Sequence, residues 1–227
     1  LLHFDCTGYS ACLYIYYVIS ADCGVSALSV IEAINQAGDV QTLNVHINSP
    51  GGDVFEGRSI MAALSAFRGK TVAHIDSLCA SAATSIALAC NETRMAEGAF
   101  FMIHNASGFA WGDKTELRNT ADVLEKIEGA IVNDYTSRTG KPEQEIRDKM
   151  QAETWFTAQE ALEYGFIDSI TEKSTAKNTW NLSAFANPPK PEPDPPEPVK
   201  NETEPAPEAG FFMSAANANR LRIAQIA

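Results

Sequence analysis

The chain has 227 residues, 45% of them hydrophobic and 20% charged, which suits one α/β domain with a sizeable core and leaves little room for a second. Its formal net charge of −12 argues against nucleic acid or an anionic membrane surface as main partner, because either would repel it. Five cysteines, Cys6, Cys12, Cys23, Cys79 and Cys90, are odd in number and form no Cys-x-x-Cys pair, so reduced buried thiols in a cytoplasmic compartment are expected rather than disulfides or a zinc site.

The first ten residues carry no usable periodicity, and residues 1–13 are set apart as an uncertain N-terminal segment. The apolar run from Ala11 to Ala21 is too short for a membrane span and lacks the basic flank of a signal peptide, so residues 12–20 read as a buried strand. Ser26 then offers an N-cap to an apolar pattern at Leu28, Ile31 and Ile34 that stops at Gly38. Leu43 to Ile47 alternates as a strand and closes on Pro50-Gly51-Gly52. Val54, Ile60, Met61, Leu64 and Phe67 follow as a helical stripe ending near Gly69. A strand over 71–76, a small-residue helix over 80–90, and short strands around 93–95 and 100–103 come next. Strands alternating with crossover helices predict stacked right-handed βαβ units whose loops gather along one sheet edge.

Leu117, Val123, Leu124, Ile127, Ile131 and Tyr135 mark a long amphipathic helix over 114–137, long enough to project from the body and stopped by Gly140. Pro142 opens a helix to Met150, and Thr157-Ala-Gln-Glu160 is a capping box for another that ends at Gly165, before a last strand over 166–170. Nine of the eleven prolines lie between Pro188 and Pro207, interleaved with acids, which predicts a solvated linker without a core; residues 211–227 form a short detached helix in this reading. The resulting division is 1–13, a domain over 14–172, and a linker with tail over 173–227.

Three stretches carry chemistry. Ser81 sits at the start of the small-residue helix, where Ala80, Ala82 and Ala83 keep side chains out of a substrate's way; Ser77 and Ser85 are the competing hydroxyls. Gly51-Gly52 follows a strand and can turn backbone N–H groups toward a neighbouring loop, as oxyanion holes and phosphate loops both do. Of the four histidines, His3 lies in the uncertain start, His46 on the polar face of its strand and His74 inside a strand. His104 ends an apolar strand and enters a loop, the position expected of a general base. A hydroxyl, N–H donors and a histidine are what acyl transfer through a serine requires. For the carboxylate that would orient the histidine, Glu153, Asp168 and Asp113 all remain open.

In their order, Ile47-Asn-Ser-Pro-Gly-Gly-Asp53, Ala80-Ser81-Ala82, Met102-Ile-His104 and the block from Glu153 to Asp168 resemble the Clp protease proteolytic-subunit family of serine peptidases. They resemble in particular its bacteriophage or prophage branch, the ClpP-like head maturation proteases. The resemblance implies a crotonase/ClpP-like α/β fold, Ser81 as nucleophile, His104 as general base, and the N–H groups of Gly52 and Ala82 as oxyanion hole. It places Glu153 where bacterial Clp subunits carry the triad aspartate, and Ala82 where they commonly carry methionine. It further implies homo-oligomeric rings, heptameric or doubly so, and a capsid or scaffold protein segment as substrate. No metal cluster or nucleotide motif is evident in the sequence, so hydrolysis is expected to need neither cofactor nor ATP within this chain. Three alternatives stand beside this reading: a housekeeping Clp subunit, an acyl-CoA enzyme of the crotonase superfold, and a non-catalytic head scaffold.

Overall fold

The computed structural model describes residues 2–7, 9–174, 180–183 and 185–189. The linker and helix expected beyond residue 189 lie outside the described residues. The first surprise is the start of the chain: β1 (Leu2–Thr7) pairs antiparallel with β2 (Ser10–Ile15), so the segment without periodicity is half of a hairpin. The strand expected over 12–20 is correspondingly shorter and shifted to 10–15. Beyond it only Ile19 still bridges, to Val25 and Gly52.

From β2 onward the chain alternates as expected. Helix α1 (Ala27–Ala37) is capped by Ser26, whose side chain accepts from Ser29 N. Strand β3 (Thr42–Ser49) follows, and α2 (Val54–Ser65) begins behind Asp53, which accepts from the N–H groups of Phe55 and Glu56. Strand β4 (Lys70–Ala80), α3 (Ala82–Leu88), β5 (Glu92–Ala96) and β6 (Phe100–Ile103) complete the first half. The last elements are α4 (Lys114–Thr139), α5 (Glu143–Gln151), β7 (Thr154–Thr157), α6 (Ala158–Tyr164) and β8 (Ser169–Thr171). Asp113 and Thr157 each close a full capping box.

The sheet runs β1-β2-β3-β4-β5-β8, parallel throughout except for the first pair. Alternate residues of β2, β3 and β4, among them Leu13, Val45 and Ala73, join Val30 of α1, Ile60 and Leu64 of α2 and Ile86 of α3 in one core. On the opposite face Tyr14, His46 and His74 stack ring on ring at 4.7 Å per step, and Asp76 accepts from Tyr16 Oη at 2.6 Å and pairs with His46 Nδ1 at 2.8 Å. Burial pushes the His74 imidazole down to about 4. These two histidines are therefore committed to the sheet.

Strand β4 is longer than the expected 71–76 because it takes two partners in succession within the one sheet. Its first half pairs with β5, but Leu78–Ala80 pairs with β6, which pairs antiparallel with β7. The change occurs where Ile47 to Ser49 of β3 spans Ile75 to Cys79 of β4, an irregularity that bends the strand. Helix α3, expected over 80–90, is confined to 82–88 because this strand continues to Ala80. Helix α4 reaches the core only near its C-terminal end, through Val132 and Tyr135, while Leu117 and Val123 stay exposed. It therefore projects as expected.

Candidate active site

Three strand ends converge at one edge. Ala80 of β4 pairs with Met102 of β6, which pairs with Trp155 of β7. Ser81 follows Ala80 directly. The antiparallel register Ile103 to Thr154, carried one residue further, sets His104 opposite Glu153. The pairing of three short strands thus brings together residues 81, 104 and 153.

His104 Nε2 lies 2.8 Å from Ser81 Oγ, within reach for proton transfer. Ser81 is the N-cap of α3, yet its side chain makes no cap hydrogen bond, so the hydroxyl is left for the histidine. Its backbone, at φ 55°, is in a region that costs a non-glycine residue about 1–3 kcal/mol. Fixed partners hold that conformation. Ser81 N donates to Met102 O at 3.0 Å, while Ser81 O accepts from Thr84 N at 2.9 Å and Thr84 Oγ1 at 2.6 Å. Thr84 Oγ1 also bonds the hydroxyl of buried Tyr135 at 2.6 Å, tying the turn to the base of α4. Nothing in the local sequence pointed to Thr84 or Tyr135, because the bond joins residues 51 apart. Ser85 is buried one turn inside α3 and Ser77 is buried within β4. Among the described residues His104 bonds neither of them.

The glycine loop is held by Ile19, whose N–H donates to Gly51 O at 2.8 Å and whose carbonyl accepts from Asp53 N at 2.8 Å. In such a parallel bridge the N–H of the intervening Gly52 points away from Ile19, and Gly52 lines the cleft that holds Ser81. Ala82 N is the first amide of α3, one of those that a helix leaves without an intrahelical partner. Gly51 packs behind the serine: at φ 88° a Cβ there would stand 2.6 Å from Ala80 O and 2.7 Å from Ser81 Cβ. Gly51→Ala is expected to lower kcat/KM on the order of 10²–10³-fold by displacing both the loop and Ser81. Steady-state peptide hydrolysis checks this, and an unimpaired enzyme would show that the loop has no part in the chemistry.

Of the three carboxylates, two are engaged elsewhere. Asp113 caps α4, and Asp168 accepts from Thr93 N at 2.7 Å and Arg138 Nη2 at 2.7 Å, joining β5 to α4. Glu153 alone of the three stands beside the histidine, and Ser81 and Glu153 are the two non-glycine residues with positive φ among those described. Its Oε1 accepts from Asn187 N at 2.7 Å and Trp155 Nε1 at 3.2 Å, and its Oε2 from Ala186 N at 2.8 Å. Among the described residues no hydrogen bond joins it to His104, so the two interact through charge. Burial pushes the His104 imidazole below its ordinary value, and the Glu153 carboxylate partly offsets this. Burial would raise Glu153, but its three hydrogen bonds and His104 hold it below the ordinary carboxylate range. A neutral imidazole beside an ionised carboxylate is the resting state a general base needs.

The cleft is a cavity of about 300 Å³ between the glycine loop, the start of α3, the loop after His104 and α4. Phe55, Leu124, Ile127 and Ile131 give it an apolar wall. A larger open groove of about 1040 Å³ between α1 and α2 contains none of these reactive side chains.

Residues 15–174 match the sequence model of the Clp protease family. The chain belongs to that family. It is 32% identical over 150 residues to ATP-dependent Clp protease proteolytic subunit 2 of Thermobifida fusca, covering 64% of this chain and 71% of that protein. Over 157 residues it is 29% identical to the ATP-dependent Clp protease proteolytic subunit of Porphyromonas gingivalis, covering 64% and 68%. A ClpP1 mutant from Listeria monocytogenes shares the fold with a TM-score of 0.64 at 22% identity, over 71% of this chain and 91% of its own. The Clp protease domain is thus a ClpP-like α/β fold, and family membership makes the protein a peptidase, hence a hydrolase.

Proposed function

We propose that this Clp family member is a serine endopeptidase with Ser81 as nucleophile, His104 as general base, Glu153 as the orienting acid, and the N–H groups of Gly52 and Ala82 as oxyanion hole. The observation that carries the reading is the 2.8 Å contact between His104 Nε2 and Ser81 Oγ at the converging strand ends. In the reaction His104 takes the hydroxyl proton as Ser81 Oγ attacks the scissile carbonyl. The oxyanion forms against the two amides, and the protonated imidazole then gives its proton to the leaving amine. Water repeats the sequence on the acyl-enzyme. The apolar wall of Phe55, Leu124, Ile127 and Ile131 fits an apolar substrate side chain near the cut. An acyl-CoA enzyme of the same superfold would need the oxyanion amides but not a serine in contact with a histidine.

The biological setting we assign is head maturation in a phage or prophage, with a capsid or scaffold segment as substrate. Supporting it is the acidic proline-rich sequence after the domain, which compact bacterial subunits are not expected to carry. The names of the Thermobifida and Porphyromonas relatives favour a second setting, a subunit of an ATP-dependent Clp machine. Assembly into rings enters either setting. The exposed Leu117 and Val123 on projecting α4, with Phe109 and Trp111 just before it, form an apolar surface suited to another subunit.

Purified protein is expected to cleave an unfolded polypeptide without nucleotide, to be inactivated by a fluorophosphonate, and to scatter light as a ring at micromolar concentration. CoA binding without peptide cleavage would contradict the peptidase reading. A fully active monomer would contradict the ring. Cleavage of unfolded protein only with an ATP-driven unfoldase would favour the second setting over the first.

A further inference from the structure

The domain matched by the family ends at residue 174, yet the chain returns to the active site after it. Trp180, Leu182 and Phe185 pack against Leu78, Ala80 and Met102, covering the face of β4 and β6 that looks away from the main core. Trp180 Nε1 donates to Asn48 Oδ1 at 3.0 Å, and its ring lies 5.7 Å from that of Tyr17. Phe185 meets Trp155 edge to face at 5.4 Å and His104 at 6.0 Å. Immediately after it, the amides of Ala186 and Asn187 donate to the two oxygens of Glu153, and Asn187 Nδ2 donates to Ala152 O at 3.2 Å.

We infer that residues 180–183 and 185–187 are a clamp that positions Glu153 for His104, so that the triad acid of this chain is held in place by residues beyond the family's matched region. The inference rests on the proposal that Glu153 is the triad acid. Glu153 is one methylene longer than the aspartate it replaces, and a longer side chain has more conformations from which to miss the imidazole. Two backbone amides and the Trp155 indole fix it, and a carboxylate with three acceptor sites used still has one for His104. Active-site hydrogen bonds commonly tighten only when substrate binds. The location of the segment argues for a support rather than a plug. None of its described residues lines the cleft of Ser81, so it backs His104 from the Glu153 side and leaves the nucleophile open. Ala186 and Asn187 act through Glu153 and touch no reacting atom, which makes them positioning residues.

Proline at both 186 and 187 removes the two donors, whereas glycine at both retains them. In the full-length chain, Ala186→Pro with Asn187→Pro is expected to lower kcat about tenfold with KM nearly unchanged, while the double glycine variant stays within about twofold of wild type. The acidic limb of the kcat/KM profile should move to lower pH in the proline variant. His104 loses part of the negative charge that raises its pKa, so it stays neutral further into acid. Glu153→Gln should be slower still, and adding the prolines to it should change nothing more. If Glu153→Gln matches wild type between about pH 6 and 9, the acid assignment fails and takes the clamp with it. If Glu153→Gln is slow but the proline variant has wild-type kcat and an unmoved acidic limb, the clamp alone is overturned. A faster proline variant would overturn it too, by showing the segment to be inhibitory. Should the double proline variant fail to fold, Ala186→Pro alone, which removes one donor to Glu153 Oε2, is read by the same outcomes.

Discussion

Ser81→Ala is expected to leave no measurable peptide cleavage and no fluorophosphonate adduct in a protein that melts close to wild type. The loss should be on the order of 10⁴–10⁶-fold, because removing a nucleophile leaves only the oxyanion amides and substrate binding to act. The fold should be insensitive, because the backbone at residue 81 is held from both sides. Met102 O takes its N–H, and Thr84 takes its carbonyl through both backbone and side chain. Alanine keeps all of these bonds and loses only the contact to His104. Ser85→Ala and Ser77→Ala should keep labelling at Ser81, because neither hydroxyl bonds the histidine. Full-rate labelling of the Ser81→Ala protein, with loss in either of the others, would move the nucleophile.

His104→Ala should be nearly as severe, with the serine present but without a group to take its proton. The wild-type pH profile carries the same assignment in its sign. The base works only when neutral; burial depresses its pKa, so activity should persist as pH falls past about 6.5, the ordinary histidine value, and decline only below it. Initial rates across that range measure the limb. A limb well above the ordinary value would mean that the imidazolium is stabilised in the free enzyme, contrary to the burial seen at the site. Residual cleavage should no longer follow that limb once His104 is replaced.

Local patterns were enough to locate the elements that carry Ser81, His104 and Gly52, because each depends on nearby residues: a cap, a Pro-Gly-Gly turn, a strand end. The capping box at Thr157 and the helix behind Ser26 appear in the structure for the same reason. What local pattern did not contain was pairing. Strand β7 is four residues long, too short for a periodicity, and its partner β6 is equally brief. The resemblance puts Glu153 ahead of Asp113 and Asp168, but the residues themselves leave all three open, and it is the antiparallel register that sets Glu153 opposite His104. The double pairing of β4, which ends its strand at Ala80 and turns Ser81 out of the sheet, is likewise set by β5 and β6 rather than by residues 70–80 themselves. Trp180 and Phe185, apolar residues in a stretch assigned to the linker, were the available sign that the chain folds back before the prolines begin.

Mapping the fluorophosphonate adduct on wild-type protein tests the central claim most directly. Digestion and mass spectrometry should place one adduct per chain on Ser81, formed faster as pH rises through the His104 titration. An adduct on Ser77 or Ser85, or an active peptidase that takes no adduct at all, would contradict it.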